Sequence, residues 1–99
     1  MNAALLAVPV EIRALDVGAR VDRVFRLTHS IAEDGVRFVM ELPYEPGRPV
    51  RIELTLPDDE QSIRAEGRVE RPDLVSIRQA DADVRQRIAR YVGERNLFP

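Results

Sequence analysis

Ninety-nine residues, 44% of them hydrophobic, suffice for one buried core and are too few for two, so a single domain spanning 1–99 is expected. A formal charge of −2 gives no net attraction to nucleic acid or to an anionic membrane, and any electrostatic partner must be met by a local patch. Cysteine is absent, which excludes disulfides, thiolate metal sites and thiol nucleophiles and suits a reducing cytosol.

The first eight residues are apolar apart from Asn2 but have no charged leader, and no run approaches the roughly eighteen apolar residues of a membrane span. The expectation is therefore a cytoplasmic chain without membrane insertion. All fifteen basic residues are arginine. That favours planar, bidentate contacts to carboxylate or phosphate, and it is equally the mark of codon bias.

In chain order, Val8, Val10 and Ile12 alternate with Pro9, Glu11 and Arg13, the period of a strand with one buried face. Pro9 suggests an edge or a strand start. After the turn signal Asp16-Val17-Gly18, the segment from about 21 to 28 alternates imperfectly, which predicts a strand with a twist or bulge. A third strand is expected from Gly35 to Glu41, with Val36, Phe38 and Met40 on one face. The run 42–49 holds three prolines and Gly47 and must be a loop.

A hairpin follows, with Val50, Ile52, Leu54 and Leu56 facing inward on one strand and Ile63, Ala65, Gly67 and Val69 on the other. Its outward row of Arg51, Glu53, Arg64, Glu66, Arg68 and Glu70 can pair across strands but is expected to be a solvated face. Leu74 to Ile77 reads as a sixth strand. Asp81 can cap a helix of about 81–93 whose Val84, Ile88, Tyr91 and Val92 share one stripe, with Arg85, Arg87 and Arg90 facing out. Gly93 is placed to stop it, and Leu97-Phe98 to fold back. Strands at about 8–77 followed by one helix predict a mainly β fold, a six-stranded antiparallel barrel with a C-terminal helix.

His29 has Thr28, Ser30, Glu33 and Asp34 around it. These are neighbours along one stretch, whereas a hydrolytic triad converges from separate elements, so no catalytic residue is assigned. One histidine and two carboxylates match no recognised metal spacing, and Asp58-Asp59-Glu60 reads as a solvated tip; no metal or cofactor is expected. The Arg-rich helix lacks aromatic platforms, which argues against nucleic acid and for an acidic protein, with Tyr44 and Phe98 as candidate aromatic anchors.

Ser30-Ile31-Ala32-Glu33-Asp34-Gly35-Val36-Arg37-Phe38 has the frame of a D/N-x-S-x-x-G motif. With the strand Gly47 to Pro57 and the strand Ile63 to Val69 in order behind it, nearly the whole chain resembles the PilZ family of small barrels that read cyclic di-GMP. The resemblance implies two ligand elements: an R-x-x-x-R arm before the first strand and the D/N-x-S-x-x-G turn. Ala3 and Ala7 stand at the two arginine places, Ser30 at that of Asp or Asn, and Ala32 at that of Ser; Gly35 alone is kept.

Each lost charge-assisted hydrogen bond removes about 1.5–3 kcal/mol, so losing both arginines is enough to carry a micromolar ligand to the millimolar range. The resemblance therefore implies a degenerate member, a regulatory or adaptor domain in bacterial signalling or motility with a protein partner and without cyclic di-GMP. The alternative is a cyclic di-GMP receptor whose arginine arm is supplied externally or replaced by Arg20 and Arg23.

Overall fold

A computed structural model describes residues 3–95. Its strands are β1 (Ala4–Leu5), β2 (Pro9–Ala14), β3 (Arg23–Ala32), β4 (Gly35–Phe38), β5 (Pro49–Leu54), β6 (Ile63–Arg71) and β7 (Leu74–Gln79), followed by the helix α1 (Ala82–Arg95). All pairings are antiparallel, and β3 pairs with both β2 and β4, so β3-β2-β5-β6-β7-β4 closes into a ring of six. Closure leaves no long unpaired edge. The extra β1 is two residues long and continues β2 along the same side of β3.

The period-two pattern decides which side chains fill the barrel. Val10, Ile12, Val36, Phe38, Val50, Ile52, Leu54, Ile63, Val69 and Val75 are all buried in one core. Pro9 opens β2, where its missing N–H is tolerated, and β5 joins β2 only from Glu11 onward. Gly67 is required by packing: a Cβ there would lie 1.8 Å from the Ser76 carbonyl oxygen, where β6 and β7 shift register. Gly47 has φ of 93° and turns the Pro-rich loop into β5.

Four expectations need correction. β4 ends at Phe38, and Met40 is 66% exposed; beyond the strand the Val39 N–H still bonds the Leu27 carbonyl of β3 and the Leu42 N–H bonds the Pro72 carbonyl. β5 ends at Leu54, although Leu56 stays buried in the following turn. The helix runs through Gly93 to Arg95. Gly93 does not adopt positive φ, so it makes no αL stop. Leu97-Phe98 lies outside the described residues.

Arg87 is the fourth: its side chain is only 10% exposed, whereas it was expected to face out. It reaches Asp59 at 3.1 Å and the Gln61 carbonyl, and so ties the helix to the β5–β6 turn. The apolar stripe Val84, Ile88, Tyr91 and Val92 is buried as its spacing requires. The Asp81 carbonyl accepts the first turn's Arg85 N–H at 3.0 Å. The helix packs on β1, β3 and β6.

Candidate functional site

The segment before β2 is the natural place to begin, since the resemblance puts a ligand arm there. Ala4 and Leu6 point into the core while Ala3, Leu5 and Ala7 are exposed. Ala4 pairs with Ile31 and Leu5 with Ser30. Between this pairing and the Pro9–Leu27 pair, three residues face two on β3, a bulge that Thr28 fills. Thr28 is 1% exposed; its hydroxyl donates to the Leu6 carbonyl and accepts the Val8 N–H at 2.9 Å. The Tyr91 hydroxyl donates to the Leu5 carbonyl at 3.0 Å, pinning the helix on the arm.

β3 and β4 are joined across Ala32 and Gly35 by the two-residue turn Glu33-Asp34. His29 is the extra residue of a register shift between Thr28 and Ser30, beyond the 21–28 segment where an irregularity was expected, because β3 runs on to Ala32. The histidine is exposed. Ala32 is buried, and Gly35 lies against β7: a Cβ there would come 3.1 Å from the Val75 carbonyl oxygen. The glycine thus serves strand approach, and its φ is not positive.

The register brings an outward row together across five strands: Leu5, Ser30, Arg37, Leu74 and Arg71. Ala3 and Ala7 lie on the exposed side of this row's first strand. Arg23 lies elsewhere. It is seven positions from Ser30, about 23 Å along an extended strand, with its guanidinium 3.7 Å from Glu11 and stacked over Phe25 at 5.7 Å. Arg20 sits in the loop before β3.

Several polar groups beyond the motif are spent on the fold. Tyr44 is buried, with its hydroxyl 3.5 Å from the Ile12 carbonyl, so it is no exposed anchor. Burial, then the nearby Asp22 charge, pushes its phenol above its ordinary value. Asp58 and Asp59, expected as a solvated tip, hold Arg95 at 3.0 Å and Arg87 at 3.1 Å, and the hydrogen bond to Asp58 raises the Arg95 pKa. A cleft of about 240 Å³ lies beside them, lined by Leu56, Asp58, Arg90, Tyr91 and Glu94. Across the hairpin Arg64 meets Glu53 at 2.9 Å, and on the neighbouring strand Arg78 meets Glu70 at 2.8 Å. Among the described residues no group of three His, Cys, Asp or Glu side chains could hold a metal, and no helix is long and apolar enough to cross a membrane.

Sequence reasoning missed the Asp58–Arg95 and Asp59–Arg87 contacts and the role of Thr28. The acidic turn and the basic helix were each visible, but their meeting depends on the closed barrel. Thr28 did carry a signal, a hydroxyl at an inward position of an alternating strand.

A closed six-stranded antiparallel barrel with one helix against its N-terminal strand defines a small mainly β domain. The chain belongs to the PilZ domain family, whose model matches residues 6–94. The fold is similar to that of the Bacillus subtilis inhibitor of motility MotI/DgrA, with a TM-score of 0.79 and 19% identity over 97% of this chain. The chain spans about half (50%) of that protein. It is likewise similar to the PilZ domain of CeSA from a cellulose-synthesizing bacterium, with a TM-score of 0.73 and 18% identity over 95% of this chain and 97% of the other. No curated protein matches the sequence.

Proposed function

We propose that this domain is a non-enzymatic PilZ regulatory or adaptor module of the bacterial cytoplasm that does not use cyclic di-GMP and acts by binding a protein. The observation that carries the reading is the pair Ala3 and Ala7. Both are exposed beside the Leu5–Ser30 pair, where guanidiniums would be needed, and both are methyl groups. The buried methyl of Ala32 takes the place of a hydroxyl. A ligand carrying two phosphates gains most from charge-assisted, bidentate contacts, and these side chains supply none. The motility inhibitor among its structural neighbours supports a role in signalling or motility. Isothermal titration with cyclic di-GMP should give no heat at micromolar concentrations; micromolar binding would overturn the reading.

A second reading is favoured by one observation. Arg37 lies opposite Ser30 in the register, exposed and without an ion pair among the described residues, so one guanidinium does flank the motif. An arm supplied from outside the chain would then complete a cyclic di-GMP site. Titration in the presence of the native partner separates the two: nucleotide binding that appears only in the complex supports the second.

A further inference from the structure

The sheet register sets three arginines side by side on adjacent strands. Arg13 on β2 is directly opposite Arg23 on β3 and Arg51 on β5. All three are outward and partly exposed. Like charges directly opposite one another destabilise a sheet. Neighbouring carboxylates offset this only in part: Glu11 lies 3.5 Å from Arg13 and 3.7 Å from Arg23, and Glu66 lies 4.0 Å from Arg51. Three guanidiniums face two carboxylates, so one positive charge remains in a protein whose formal charge is −2.

Arg51 is itself incompletely partnered within the fold. Its Nε is buried, and among the described residues it is the one buried side-chain nitrogen or oxygen with no hydrogen-bond acceptor. The contact with Glu66 at 4.0 Å is too long to be a hydrogen bond. The next outward residue of β6 after Glu66 is Arg68, which donates to the Gly47 carbonyl and adds no carboxylate. Phe25, on the same face as Arg23, is 59% exposed beneath that guanidinium.

We propose that Arg23, Arg13 and Arg51 form an oxyanion-binding row that seats the carboxylates of an acidic helix of a partner protein, with Phe25 meeting an apolar residue beside them. The proposal rests on the adaptor reading and names its surface. Adjacent strands repeat at about 4.8 Å, so the row presents a guanidinium about every 5 Å over about 10 Å. Carboxylates at i, i+4 and i+7 of a helix fall about 5–6 Å apart and match it. Exposed arginine beside an aromatic is what the centre of a protein interface uses. A bare polyanion could not use Phe25.

The test is a titration of the domain with a synthetic helical peptide bearing glutamates at those three positions and leucine beside them, read from the arginine Nε–H resonances. Saturable shifts are expected at Arg13, Arg23 and Arg51. Affinity should fall about tenfold in Arg13→Gln/Arg51→Gln and again on raising the salt, while Arg64→Gln changes it less than about twofold. No saturable shift, or tighter binding of inorganic tripolyphosphate than of the peptide, overturns the proposal. Arg13→Thr should leave the thermal midpoint unchanged or raised; a drop would make the row a stability device and overturn it too. If a native partner binds equally well to Arg13→Gln/Arg51→Gln, this surface falls while the adaptor reading stands.

Discussion

The two ends of β3 treat polar side chains in opposite ways. At the Thr28–Ala32 end, where the family resemblance places a ligand, the Thr28 hydroxyl serves two backbone groups of the arm, and small apolar side chains replace charged ones. At the Arg23–Phe25 end the sheet carries three arginines in a row with incomplete compensation. At the first end the Thr28 hydroxyl is satisfied, and Arg37 opposite Ser30 is the guanidinium that remains exposed without an ion pair among the described residues. The other holds charge that the fold does not need. The contrast is between a segment where the resemblance expects charge and the chain has methyl groups, and a row where the register concentrates charge.

The largest expected effect breaks the first end. Thr28→Val keeps the shape but leaves the Val8 N–H and the Leu6 carbonyl unpaired in a buried bulge. Urea unfolding should show a loss of about 3 kcal/mol; a loss below about 1 kcal/mol would mean that water replaces the hydroxyl. Restoring the other chemistry there is the next test. Ala3→Arg, Ala7→Arg, Ser30→Asp and Ala32→Ser together should tighten cyclic di-GMP by about 100-fold, two contacts at ~1.5 kcal/mol each, measured by calorimetry. A fold that lacks the right arm geometry would show no gain.

At the other end Arg13→Thr relieves like-charge contacts with Arg23 and Arg51. Stability should rise by about 0.2–1 kcal/mol in the same urea assay, unless loss of the Glu11 contact cancels it. The smallest effect concerns Tyr44, buried near the Arg23–Phe25 end with its hydroxyl 3.5 Å from the Ile12 carbonyl. Its pKa is raised in the fold above the ordinary 10.0. The stability it contributes is fully present below pH 10 and declines as pH rises through the folded value. Tyr44→Phe should flatten that alkaline decline and leave stability at pH 7 within about 1 kcal/mol.

Several elements were legible because their cause is local. Val50, Ile52 and Leu54 opposite Gly67, Ala65 and Ile63 form the expected hairpin, since a period of two needs only one buried face. The helix stripe was legible for the same reason. Met40 and Arg87 were misread because each is decided by a distant segment. The chain after Phe38 bonds to Leu27 and Pro72, which are remote in sequence, and the Asp59 that draws Arg87 inward is 28 residues away. The motif residues could be named from sequence, but their facing could not. Ala32 is buried and Gly35 acts by close approach to β7, which depends on the β4–β7 register.

The sequence by itself determined the closed mainly β design, the single helix and the absence of guanidiniums at the arm, because periodicity, proline placement and residue identity are properties of the chain. Tertiary structure alone decided that Arg13 lies between Arg23 and Arg51, that Asp58 and Asp59 meet the helix, and that Thr28 plugs a bulge. Pairing register is a long-range quantity. It is fixed by how inward faces fill one core, and it carries the outward side chains to neighbours that no spacing in the chain predicts.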